Sequence, residues 1–177
     1  MKRLIFDTET TGLIKSLRQP LESQPKVIEL FAILVDAKWK ELGRVSALIQ
    51  PGLRLDPVIT KITSITDAML TKCPPFGAIT PKWEALVKKA DQVVGHNVTF
   101  DIDMIDLEYR RMEKVCPWPK LRLCTVEATE FLKGHRMKLQ DLHEHLLGKK
   151  FDGAHRAESD VMAVLAVLKE LDKRGHL

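Results

Sequence analysis

Long apolar runs are missing from this sequence: no stretch approaches the ~20 consecutive apolar residues that a membrane span needs. The N-terminal stretch MKRLIFDTE starts basic but carries no apolar h-region, so no signal peptide and no membrane partner are expected. Cysteine is scarce. Cys73, Cys116 and Cys124 are odd in number and form no CxxC pair, which argues against a disulfide framework or a zinc ribbon. A reducing, cytoplasmic compartment is the natural expectation. Aromatic residues are few as well. Tyr109 is the one tyrosine and Trp118 sits in a proline turn, so no interleaved aromatic platform for a long single strand is expected. Internal repeats and low-complexity tracts are absent from the sequence.

The 177 residues suit a single domain, 1–177, with a full hydrophobic core. Lys and Arg number 28 against 24 Asp and Glu, a net charge of +4. That is mildly basic and says little alone. If several acids gather in one pocket, the remaining surface is more basic than the net figure, and it attracts a polyanion.

Residues 3–6 read as a strand, and 14–25, polar with two prolines, as a loop. Residues 26–36, KVIELFAILVD, are apolar on both faces and read as a central strand, with 43–50 as its neighbour through a hairpin at KWKELG. Pro51, Gly52 and Pro57 mark a loop. Thr66 and Asp67 suit the cap of a short helix, DAMLTK. Residues 80–90 read as a helix with Thr80 as cap and Pro81 at its first position. A strand at 92–96, a helix at 98–114, a strand at 121–124 and helices near 125–132, 138–147 and 156–173 follow. The order implies a mixed α/β layered domain.

Acids occupy odd positions in this pattern. In LIFDTETTGL, residues 4 to 13, Asp7 and Glu9 follow an apolar run and point to one face of a strand. Like charges repel, and burying them unpaired is costly, so a cation would resolve the conflict. Asp160 shares a face with the apolar residues of the last helix, although an acid in a first turn is also favoured by the helix dipole. Asp101 follows Phe100 in GHNVTFDID, while Asp103, Asp106 and Arg110 share another face and suit a solvated helix ion pair. Four acids, Asp7, Glu9, Asp101 and Asp160, can therefore converge where strands end and helices begin. Hard divalent ions take such oxygen ligands, and two of them can clamp a phosphodiester. His143 and His145 form an HxH pair, read more simply as two polar helix positions.

DTETTG (7–12), HNVTFD (96–101) and HRAESD (155–160) resemble, in order, the three motifs of the DEDDh 3′–5′ exonucleases, the DnaQ-like family that includes replicase proofreading subunits. The resemblance spans nearly the whole chain. It implies a ribonuclease H-like fold with a mixed sheet of about five strands, and two divalent ions, Mg2+ or Mn2+. By the resemblance, Asp7 touches both metals, Glu9 and Asp160 complete one site, and Asp101 serves the other through water. His155 takes the role of general base, a task that suits an imidazole near neutral pH. A lone histidine there would otherwise read as a surface residue. Gly153 and Ala154 are expected to let it swing in when substrate arrives.

The resemblance also assigns Thr10, Thr11 and Gly12 to the terminal nucleotide. Leu13 is set against the last bases, with a core leucine as the equal alternative. Ile65 falls where the family often reads His-Gly-Ile-Thr, but this sequence has Thr63 and Ser64 in place of His-Gly. His96 and Asn97 orient the strand, or His96 is structural. Lys149, Lys150 and Arg156 are candidate phosphate contacts; Lys133, His135, Arg136 and Lys138 read first as solvated. The expected activity is metal-dependent 3′–5′ hydrolysis of DNA ends, with single-stranded DNA as substrate and a DNA polymerase as a candidate partner in proofreading or repair. The alternatives are an RNA exonuclease of the ribonuclease T or oligoribonuclease type, and a polymerase-accessory binding module. The chain's last helix runs close to its end, which leaves no room for a polymerase or a long tether within it.

Overall fold

The computed structural model describes residues 1–16 and 18–177. Leu17, inside the expected 14–25 loop, lies outside the described residues. Strands β1 (Arg3–Thr10), β2 (Val27–Val35) and β3 (Glu41–Leu48) come first. Helices α1 (Pro57–Thr63), α2 (Asp67–Leu70) and α3 (Phe76–Val87) lead to β4 (Gln92–Gly95) and α4 (Val98–Arg111). Strand β5 (Leu121–Cys124) precedes α5 (Thr125–Ala128), α6 (Leu139–Leu147) and α7 (Ala157–Lys173).

The five strands form one mixed sheet in the order β3-β2-β1-β4-β5. Strand β2 is buried along all nine residues, as its two-sided apolar sequence requires. It pairs antiparallel with β1 and with β3. Strand β4 lies parallel to β1, so the chain must cross over, and α1 to α3 fill that connection. Alternate residues of β1 serve opposite layers. Leu4 and Phe6 pack with Trp83 of α3 and Met104 of α4. Ile5 packs with Val161, Val164 and Leu168 of α7. Asp7 and Glu9 continue the Ile5 row, toward the start of α7.

Three local expectations are corrected. Pro57 does not mark a loop. It opens α1, with Asp56 Oδ1 accepting from the Val58 amide at 2.8 Å as an N-cap. Helix α3 begins at Phe76 and carries Pro81 inside it. Proline lacks the amide that would serve the Gly77 carbonyl four residues back. The Thr80 hydroxyl donates to that carbonyl instead, at 2.9 Å. Asp106 accepts from Trp118 Nε1 at 2.8 Å in place of the expected pair with Arg110. Thr66 caps α2 as expected, accepting from the Met69 amide at 3.3 Å. Among the described residues, no helix is long and apolar enough to cross a membrane.

Candidate active site

The parallel pairing of β1 with β4 ends at Ile5 and Val94. Beyond it β1 runs on alone along that edge, carrying Asp7 and Glu9, while the chain leaving β4 turns into α4. Gly95 permits the turn. A Cβ there would sit 3.2 Å from the Phe6 carbonyl and 3.1 Å from Val98. Asn97 then takes a left-handed conformation, φ 66°, which asparagine tolerates, and begins α4. One turn later Asp101 is buried at the open edge of β1. Its Oδ1 accepts from the amide and the hydroxyl of Thr8, at 2.9 and 2.7 Å.

Asp160 arrives from α7. Its Oδ2 accepts from the His155 amide at 3.2 Å, and its own amide donates to the Arg156 carbonyl at 3.0 Å. Ligand oxygens of Asp7, Glu9 and Asp160 all lie within 4.8 Å of one another. Burial pushes all three carboxyls up. Repulsion from neighbouring acids adds to it at Asp7 and Glu9, while at Asp160 the bond from the His155 amide works against it and Glu29 adds a little. Asp7 stands well above the usual carboxylate range. Glu9 is raised to about 8 and Asp160 to about 6. Asp101 is also raised, chiefly by burial, against the lowering effect of the Thr8 bonds. Three converging oxygens with no basic side chain among them fit a hard divalent cation, whose charge would remove the penalty. Asp101 keeps its second oxygen free of these bonds and adjoins the group without belonging to it.

His155 is exposed and holds φ 64°, a left-handed conformation unusual for histidine. It shares with Asp7, Asp160, His96, Asn97 and Phe151 the wall of a cavity of about 540 Å3. Both nitrogens of His96 are engaged within the protein. Nε2 meets the Met137 carbonyl at 3.1 Å and Nδ1 the Thr125 hydroxyl at 2.9 Å. The carbonyl can only accept, so Nε2 carries the proton of a neutral ring. Burial lowers that imidazole to about 4.

The remaining expected contacts separate. Leu13 is 78% exposed, which rules out the core-leucine alternative. It lines a second cavity with Thr11 and Gly12. Thr10 donates its hydroxyl to the Gly12 carbonyl at 2.7 Å, and the Thr11 hydroxyl accepts from the Lys26 amide at 2.9 Å. Ile65 has no exposed surface and packs with Ile28, Leu55 and Leu70, so its side chain is not brought to the site. Lys149 and Lys150 line a different depression, beside Met162 and Asp152. Arg136 and Lys138, read from sequence as solvated, are the basic residues that share the cavity with Asp7 and His155. His143 is buried with Nδ1 against the Lys149 carbonyl at 2.6 Å, so the HxH pair is structural at that position.

Glu29 was not visible as a site residue in sequence. It lies directly across from Glu9 in the β1–β2 register and is 7% exposed. Both its oxygens are committed to Arg156, at 2.7 Å to Nη2 and 3.0 Å to Nε, and to the Ala157 amide at 3.0 Å.

A family model described as "Exonuclease" (RNase T) matches residues 4–168. The DNA polymerase III subunit epsilon of Treponema pallidum (strain Nichols) is 32% identical over 158 residues, covering 88% of this chain and 69% of that protein. The PolC-type DNA polymerase III of Bacillus subtilis (strain 168) is 28% identical over 184 residues, 97% of this chain but 12% of the much longer relative. Among solved structures, exonuclease X in complex with 5′ overhanging duplex DNA aligns with a TM-score of 0.69 at 22% identity, over 98% of this chain and 93% of that one. The nuclease domain of 3′hExo, a DEDDh family member bound to rAMP, aligns with a TM-score of 0.74 at 17% identity, over 97% and 92%. At these identities the structural likeness is one of fold, the ribonuclease H-like α/β layout of the DEDDh exonucleases.

Proposed function

This chain belongs to the DEDDh, DnaQ-like exonuclease family, and from that premise we propose that it hydrolyses DNA from the 3′ end and releases nucleoside 5′-monophosphates. The observation that carries the reading is the convergence of Asp7, Glu9 and Asp160 within 4.8 Å, at the wall of a cavity that also holds the exposed His155. DNA is favoured over RNA by the 32% identity to a DNA polymerase III subunit. The same relative motivates a role in proofreading or repair beside a DNA polymerase.

Asp7, Glu9 and Asp160 would hold a divalent cation, and the free oxygen of Asp101 would help hold a second, with Mg2+ or Mn2+ suited to an all-oxygen set. Such ions, when bound, activate water and neutralise charge developing on the phosphate. The residues of the chain do the rest. His155, exposed on the cavity wall, accepts the proton of the attacking water. The water oxygen forms a bond to phosphorus while the bond from phosphorus to the 3′-oxygen of the penultimate nucleotide breaks, and that oxygen takes a proton from solvent. Arg136 and Lys138 offer positive charge along the cavity for the phosphates upstream. Thr11, Gly12 and the exposed Leu13 offer a backbone and apolar edge for the terminal nucleotide.

The test is incubation with 5′-labelled single-stranded DNA and RNA of one sequence, in Mg2+, Mn2+ or EDTA, beside Asp7→Ala. The reading expects a metal-dependent ladder that shortens from the 3′ end, faster on DNA and absent from the variant. Faster degradation of RNA would move the substrate to the ribonuclease T class. No cleavage of either by folded protein would overturn the enzymatic reading in favour of a binding module.

A further inference from the structure

The guanidinium of Arg156 lies next to a cluster of carboxylates that needs a cation, and it is not bound to any of them. Its partner Glu29 stands directly across from Glu9 in the β1–β2 register, which sets the guanidinium beside that carboxylate. Yet its hydrogen bonds go to Glu29, with Nη2 at 2.7 Å from Oε1 and Nε at 3.0 Å from Oε2, a two-pronged pair. Glu29 is nearly buried at the end of β2, across from Glu9. Its Oε2 also accepts from the Ala157 amide, the first residue of α7. From there the connection is short. The Arg156 carbonyl accepts from the Asp160 amide, and the Asp160 carboxylate accepts from the His155 amide.

We propose that Glu29 is a positioning residue that holds Arg156 off the cation site and pins the first turn of α7, so that Glu9 and Asp160 stay open to a divalent ion. The inference rests on the functional reading above. A guanidinium released from Glu29 has the Glu9 carboxylate beside it, across the β1–β2 register, and an Arg–carboxylate fork is strong where water is scarce. It would then occupy the place of the metal. The opposing charge of Glu29 is thus an active requirement of the site. The helix also needs it, since the Ala157 amide has no partner within its own turn.

The prediction differs from that of a merely structural ion pair. Breaking a structural pair from either side weakens the site, and removing both partners does not bring it back. A parked competitor behaves otherwise: removing the parking acid harms the site, and removing the competitor as well rescues it. Wild type, Glu29→Gln, Arg156→Gln and the double variant are compared by Mn2+ titration followed by electron paramagnetic resonance, with melting in EDTA to confirm folding. Glu29→Gln is expected to weaken Mn2+ binding by about 10-fold or more, within the range seen for residues that orient metal ligands. The double variant should regain most of that loss. In cleavage, Glu29→Gln should lower kcat and raise the Mn2+ concentration needed, with KM for the oligonucleotide unchanged.

Mn2+ binding by Glu29→Gln at wild-type strength would overturn the proposal, as would a double variant no better than Glu29→Gln. If Glu29→Gln does not fold, Glu29→Asp carries the same comparison, being too short to grip both the guanidinium and the Ala157 amide. A wild-type protein that neither binds Mn2+ nor cleaves would sink the functional reading itself. A wild type that does both, with unchanged variants, would sink this inference alone.

Discussion

Thr8 donates both its backbone amide and its hydroxyl to one oxygen of Asp101, at 2.9 and 2.7 Å. The two residues are 93 positions apart. The contact exists because β1 outruns β4: past Ile5 its amides on that edge have no strand partner, and a buried amide must find one. The first turn of α4 supplies the acceptor. One interaction therefore completes the sheet edge and holds an acid beside the group formed by Asp7, Glu9 and Asp160.

Thr8→Val keeps the shape of the side chain and removes the hydroxyl donor. The bonds from Thr8 lower the Asp101 carboxyl against the raising effect of burial. Their partial loss should push it further up. Cation binding, which needs the ionised form, should shift to higher pH. Stability in EDTA should fall by about 1–2 kcal/mol, the usual cost of one such bond to a buried group. A Mn2+ titration across pH 6 to 9, roughly the range in which raised carboxyls titrate, reads the shift. An unchanged pH dependence would show that Asp101 does not report on the site.

The buried acids cost the fold stability when they ionise. Glu9 is raised from an ordinary value of 4.5 to about 8, mainly by burial and then by Asp160 and Glu29. Below pH 4.5 the carboxyl is protonated in both folded and unfolded chains and costs nothing. Between 4.5 and about 8 the unfolded chain ionises first, so folding stability is lost as pH rises, and above that the loss is constant. Glu9→Gln has no charge to bury. It should melt higher than wild type in EDTA at pH 7, by about 1–3 kcal/mol, and the gap should close near pH 4. Excess Mn2+ should reverse the order, since only wild type keeps the ligand. A Glu9→Gln that is less stable in EDTA at pH 7 would contradict the electrostatic account.

The proposed role of the His155 ring is separable from that of its backbone. The backbone amide serves Asp160, and the left-handed φ of 64° shapes the loop. Asparagine tolerates that conformation, so His155→Asn removes the imidazole alone. The expected result is a kcat lower by about 10²–10⁴-fold, with melting temperature and Mn2+ affinity unchanged. Retained kcat would reassign the proton acceptor. A weakened Mn2+ affinity would mean that the ring, and not only the amide, supports Asp160.

The acidic residues were legible because their pattern is local. Asp7 and Glu9 share a face by strand alternation, and Asp160 shares one with the apolar stripe of α7. Glu29 was not legible, since one glutamate in KVIELFAILVD reads as part of a buried strand. Its role depends on register with Glu9 and on an arginine 127 positions away. Helix α3 was misplaced for a related reason. Proline favours a helix start by local geometry, and a hydroxyl one residue earlier is what allows Pro81 inside. Ile65 was expected near the substrate, but its side chain fills the core beneath α2. The interior place of β2 and its pairing with β3, by contrast, follow from a two-sided apolar run and the short turn after it, both readable as pattern.

The loop before His155 carries its own constraint. Gly153 has φ +74°, where a side chain is strained, and a Cβ there would lie 2.7 Å from the Ser159 hydroxyl oxygen. Ser159 sits in the first turn of α7, one residue before Asp160. Gly153→Ala must therefore move either the loop that carries His155 or the turn that carries Asp160. The cost of the conformation alone exceeds about 1 kcal/mol. Cleavage should fall by at least about 10-fold, because small misplacements of reacting groups are expensive. Adding Ser159→Ala removes the contact with the hydroxyl but leaves the unfavourable φ, so part of the activity should return and part should not. Full recovery in the double variant would assign the whole effect to the clash. No recovery would assign it to the backbone, and an active Gly153→Ala single variant would show that the loop settles without either.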